Sequence, residues 1–128
     1  MKKQYLGINV DTPKKHKIYG IKVIRVPLYR CSVELLFGKQ TKELEEKWGQ
    51  KVDYDGHTRN YLDVTRRVTI CFKDNNPIIS TVVHELCHAT QMILKGAGHN
   101  YYKQAGDEPF AYLLTYLVDE YQKFKKFK

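Results

Sequence analysis

No stretch of this 128-residue sequence approaches the roughly 18 consecutive apolar residues that a membrane-spanning helix needs, so no membrane partner is expected. Cysteine is scarce: Cys31, Cys71 and Cys87 are an odd set without a C-x-x-C pair. A disulfide framework and a structural zinc knuckle are therefore not expected, and reduced thiols in a cytoplasmic protein are. The basic start, Met1-Lys2-Lys3-Gln4-Tyr5, has no apolar stretch after it and does not read as a secretory leader. Acidic residues are the minority, 14 against 22 Lys and Arg, which leaves a formal net charge of +8. Much of the excess sits at Lys14, Lys15 and Lys17 and at Lys123, Lys125, Lys126 and Lys128. Such charge favours an acidic partner, nucleic acid included, or is simply a set of solvated faces and a frayed tail. No nucleic-acid motif accompanies it, no internal repeat is found, and no low-complexity linker divides the chain.

What is present is a core. Apolar residues make up 42 % of the sequence, enough for one cored domain, and the length is too small for two. The domain is read as residues 1–128, strand-rich over 1–75 and helical over 76–128. Tyr5, Ile8 and Val10 suit a short edge strand, and Ile18 to Val26 is β-rich until Pro27 interrupts it. Tyr29 to Phe37 is a second strand, or opens a helix at Val33. Thr41 reads as the N-cap of a short helix, Lys42 to Trp48, closed by Gly49. Val52 to Gly56 and Thr58 to Tyr61 read as loop or short strand, with a turn at Asp55-Gly56, and Val68 to Phe72 is a clear strand. A long helix is expected from Pro77, capped by Asn76, to about Lys95, with Gly96 and Gly98 stopping it. A last helix begins near Asp107 and carries Phe110, Leu113, Leu114, Leu117, Val118 and Tyr121. The fold class that follows is α+β: a small twisted antiparallel or mixed sheet packed on these two helices.

The long helix contains His84-Glu85-Leu86-Cys87-His88, an H-E-x-x-H. Residues four apart on a helix lie one above the other, so His84 and His88 point the same way and can share one zinc ion. Glu85 follows about 100° round the helix, within reach of a metal-activated water, as a general base requires. A catalytic zinc site usually has three protein ligands and one open position. Glu108, 20 residues after His88, opens the next helix and is one candidate for the third; it also suits the positive end of that helix without any metal. His99, 11 residues after His88, is the other. His99 could instead stabilise an oxyanion from its loop, as could Tyr101 or Tyr102, or be an ordinary loop histidine. Cys87 suits a small packing residue better than a thiolate ligand.

The run Val82-Val83-His84-Glu85-Leu86-Cys87-His88-Ala89, followed by Asp107-Glu108-Pro109-Phe110-Ala111-Tyr112-Leu113, resembles the zincin metallopeptidases. The Glu108-x-x-Ala111 pairing is similar to gluzincins, whose third ligand is a glutamate on the next helix, and the whole pattern is similar to small phage-encoded minimal zincins. The resemblance covers about residues 64 to 121. It implies a minimal-zincin fold, Zn2+ held by His84, His88 and Glu108, Glu85 as the base, a protein or peptide substrate, and the host cytoplasm as the location. A second resemblance, His-Glu-Leu-Cys-His-Ala with Gly98-His99-Asn100-x-Tyr102-Lys103, is to SprT-like proteases, whose third ligand would be His99. The chain departs from that pattern in its shorter spacing and in having no zinc ribbon after it.

The function expected is a zinc-dependent hydrolase that cleaves a peptide bond with activated water and Glu85, the strand Val68 to Phe72 offering an edge to extended substrate. The alternative is a phage-type binding protein that keeps the zincin fold and uses its basic surface to engage a host protein or nucleic acid. A third possibility keeps the motif helix as structure alone, without metal.

Overall fold

The computed structural model describes residues 4–5, 8–9, 18, 20–49, 51, 54–98 and 108–126. The expectations attached to His99, Tyr101, Tyr102, Asp107, Lys14, Lys15, Lys17 and Lys128 fall outside these residues. The fold is α+β. In chain order the elements are β1 (Gln4–Tyr5), β2 (Ile8–Asn9), β3 (Lys22–Val26), a 3-10 turn (Pro27–Tyr29), β4 (Cys31–Leu36), α1 (Gly38–Trp48), β5 (Gly56–Tyr61), α2 (Leu62–Thr65), β6 (Arg67–Phe72), α3 (Ile79–Gly96) and α4 (Glu108–Lys126). The β1–β2 pair is a separate two-stranded sheet.

The main sheet is mixed and four-stranded, in the order β3-β4-β6-β5. Only the β4–β6 pairing is parallel; β3–β4 and β5–β6 are antiparallel. Both central strands are buried on both faces, which is why Val68 to Phe72 reads as a run that is apolar except for the buried Thr69. One face, carrying Val33, Leu35, Val68, Ile70 and Phe72, packs on α3 and α4 through Val82, Leu86, Ala89, Leu113, Leu117 and Tyr121. The other face, with Leu36 and Cys71, packs on Leu44 of α1. A buried glutamate, Glu34, also lies on this second face, paired with Arg67 at 2.8 Å.

Several boundaries differ from the sequence reading, each for a local reason. Val33 to Leu36 is strand and Phe37 precedes the next helix, because Val33 and Leu35 alternate into the core with Ser32 and Glu34 on the other side. The following helix starts at Gly38, ahead of the expected Thr41 cap. The Gln40 side chain accepts from the Phe37 N–H, and Asn75 Oδ1 accepts from the Lys39 N–H at 2.9 Å. Thr41 is instead spent inside, donating its hydroxyl to Phe72 O at 2.7 Å. Gly49 ends the helix as expected, with φ of 64°. The long helix begins at Ile79, so Pro77 precedes it. Asn76 is not its cap, for its Oδ1 accepts from Lys125 Nζ at 2.6 Å. That last contact also shows the direction of α4: its C-terminal end returns to the start of α3, so the two helices run antiparallel.

The strand expected to offer an edge, Val68 to Phe72, lies inside the sheet between β4 and β5. The edge beside α3 is β5, Gly56–Tyr61, whose sequence Gly-His-Thr-Arg-Asn-Tyr is polar and half-buried. Apolar strength marked the central strand, while the true edge hid behind the polar composition that edges favour. Among the described residues, no helix is long and apolar enough to cross a membrane.

Candidate metal centre

The site grows out of how α3 is seated. Val82, Leu86, Ala89 and Ile93 recur at three- and four-residue spacing, and all are buried in the core. That fixes the rotation of the helix. His84 and His88 are turned to the opposite side and are exposed, while Glu85 is carried to the flank facing β5 and is 6 % exposed.

The His84 and His88 rings meet edge to face, with centroids 4.8 Å apart and an interplanar angle of 82°. Their Nε2 atoms are 3.2 Å apart. Two nitrogens each about 2.05 Å from a tetrahedral ion stand roughly 3.3 Å apart, so the pair already has the bite that one metal needs. Without metal, the same distance suits a hydrogen bond between the rings. Glu85 Oε2 lies 3.9 Å from His84 Nε2. The ligand atoms of His84, Glu85 and His88 all fall within 4.8 Å of one another, and these three residues could hold a metal ion.

β5 supplies the wall. Alternation along the strand turns Gly56, Thr58 and Asn60 to the α3 side, and His57, Arg59 and Tyr61 to the other. Thr58 Oγ1 donates to Glu85 Oε1 at 2.7 Å. Gly56 is so close to Glu85 that a Cβ there would stand 2.7 Å from Glu85 Cγ. A cleft of about 670 Å³ opens over the site, lined by His84, Glu85 and His88 and by Tyr54, Asp55 and His57 from the strand side. His88 and Met92 also border a second hollow of about 410 Å³, together with Asn60, Arg66 and Lys95. Burial, aided by the Arg59 charge, pulls the pKa of His57 below the ordinary histidine value, against the opposing pull of Glu85. Burial raises the pKa of the Cys87 thiol, and Cys87 is not part of the ligand group.

The structure does not bring Glu108 to this group. Glu108 is exposed at the first residue of α4 and borders a separate groove with Val26, Pro27, Leu28 and Tyr29. The reason is how the helices divide the sheet. α3 lies over β5 and β6, α4 over β3. α4 therefore covers the flank of α3 that bears the buried Thr90 and Leu94, away from the flank that bears Glu85. The described residues thus contribute two imidazoles and a neighbouring carboxylate, and no third ligand from the following helix.

Sequence reasoning missed Gly56, Thr58 and His57. The signal was there in the Gly56-x-Thr58-x-Asn60 alternation, but a polar six-residue run with a turn signal at its start is hard to tell from a loop. Comparison of the chain with family models, with curated proteins and with solved structures finds no match.

Proposed function

We propose that the protein is a zinc-dependent hydrolase of the zincin type acting on peptide bonds. The observation that carries this reading is the 3.2 Å spacing of the His84 and His88 Nε2 atoms, with a buried carboxylate beside them at the floor of an open cleft. His84 and His88 would hold the ion. Their ring nitrogens fit the preference of zinc for imidazole, and the cleft leaves room for water and substrate. Zinc, when bound, polarises a carbonyl and brings water within reach of deprotonation near neutral pH.

The remaining steps belong to the chain's own side chains. Glu85, through the oxygen not engaged by Thr58, takes the proton from the attacking water and returns it to the leaving amine. β5 is an edge strand along the cleft, so an extended peptide can add to it through backbone hydrogen bonds. Its scissile bond would then lie over Glu85. Of the two candidates for a third ligand, Glu108 stands on the far side of α3, beside a separate groove, which leaves His99 as the one proposed.

The test is turnover of a mixture of internally quenched fluorogenic peptides by zinc-loaded protein, beside Glu85→Gln. Cleavage that depends on zinc and is lost in Glu85→Gln supports the reading. Cleavage at equal rates by both proteins contradicts it.

A further inference from the structure

A general base is useful only if its carboxylate is aimed, and a glutamate has three side-chain torsions to fix, the last of them soft. Two features of β5 fix them here. Thr58 Oγ1 donates to Glu85 Oε1 at 2.7 Å and lies 3.3 Å from the Glu85 backbone carbonyl, so one hydroxyl spans the carboxylate and the helix that carries it. Two residues earlier on the same strand face, Gly56 leaves the space that the carboxylate occupies. A Cβ there would lie 2.7 Å from Glu85 Cγ, 3.1 Å from Cδ and 3.2 Å from Oε2. Gly56 is not among the residues with positive φ, so glycine is required for room and not for backbone conformation. The outcome is asymmetric: Oε1 is spent on Thr58, and Oε2 is left on the His84 side at 3.9 Å from Nε2.

We propose that Gly56 and Thr58 form a strand-borne clamp that aims the Glu85 carboxylate, holding Oε1 and presenting Oε2 as the proton-accepting oxygen. This deepens the hydrolase reading above and rests on it. Both are positioning residues that act through Glu85. The clamp uses a neutral hydroxyl, which orients the carboxylate without cancelling its charge; an arginine or lysine in the same place would hold it more firmly and weaken it as a base.

The test uses the full chain, loaded with cobalt(II) for spectroscopy and with zinc for turnover. Acetohydroxamate is the probe, because it chelates the metal and shares its proton with an aimed carboxylate. Thr58→Val keeps the side-chain shape and removes the donor, while Thr58→Ser keeps the donor. Thr58→Val is expected to weaken acetohydroxamate binding about tenfold and to lower kcat on the fluorogenic peptides by a similar factor, with KM changed less than about threefold. Metal affinity should be unchanged, and Thr58→Ser should restore both readouts to within about threefold. Gly56→Ala should match Thr58→Val. In a Glu85→Gln background, Thr58→Val should add no further loss, since the two act as one unit. Thr58→Val with wild-type binding and kcat, beside a Glu85→Gln variant that loses both, would overturn the clamp and leave the function standing. Losses that multiply in the double variant would overturn it as well. A Glu85→Gln variant indistinguishable from wild type would remove the base itself, and with it both the function and the clamp.

Discussion

Two glutamates are buried among the described residues, one on each face of the sheet, and they are satisfied in opposite ways. Glu34, on the α1 face, is paired with the Arg67 guanidinium at 2.8 Å, and its Oε2 has no hydrogen-bond partner. Glu85, on the α3 face, has a neutral threonine hydroxyl at 2.7 Å and opens to a cleft. Burial raises the pKa of Glu34 to about 6 although Arg67 pulls it down, so desolvation outweighs the ion pair. Glu34 faces a half-exposed cation that only partly offsets its burial. Glu85 instead faces a neutral hydroxyl, two imidazoles and the cleft.

The sharpest way to break this contrast is to remove each charge in turn. Glu85→Gln should lower kcat by at least about a thousandfold, equivalent to ~4 kcal/mol of transition-state stabilisation, while thermal stability moves little. Peptide turnover and a melting curve on the same samples check this. A Glu85→Gln variant that melts much lower but turns over normally would reverse the roles assigned here. Arg67→Ala should cost about 2 kcal/mol of stability at pH 7, less than for a fully buried pair because Arg67 is half-exposed. That cost should fade as pH falls through about 6, where Glu34 takes up its proton in the folded state.

Glu34→Gln tests the same carboxylate with the opposite sign. A carboxyl with a raised folded pKa contributes stability that is present below its unfolded value near 4.5 and lost as pH rises through about 6. The wild type should therefore lose on the order of 2 kcal/mol across that window, and Glu34→Gln should not. Urea denaturation between pH 4 and pH 7.5 separates them, and parallel slopes would contradict the account of Glu34. The smallest effect is expected at Glu108→Ala. With Glu108 on the far flank, zinc affinity should stay within about threefold of wild type, measured by competition with a chromogenic chelator. A loss beyond about tenfold would bring α4 into the site and restore the gluzincin-like ligand set.

The helices that carry the motif were largely legible in the sequence. The Val82, Leu86, Ala89, Ile93 spacing fixed both the existence of α3 and its rotation, and hence the outward direction of His84 and His88. The apolar stripe of α4, with Leu113, Leu117 and Tyr121, was equally plain. What escaped was tertiary. The apolar composition of Val68 to Phe72 marks a central strand, but nothing local says that β4 and β5 are its neighbours. Nothing in Glu108 says over which part of the sheet α4 will lie, and that choice decides whether its carboxylate meets the histidines. Thr58 was invisible for a related reason: a threonine on a polar edge acquires meaning only from the helix opposite, 27 residues later in the chain.

His84 and His88 are predicted to share one metal ion. Elemental analysis of protein purified without chelators tests this directly, beside His84→Ala and His88→Ala singly and together. The account predicts close to one zinc per chain in the wild type, and none in the double variant at unchanged fold by circular dichroism. A wild-type chain without stoichiometric metal, or a double variant that keeps it, would contradict the account.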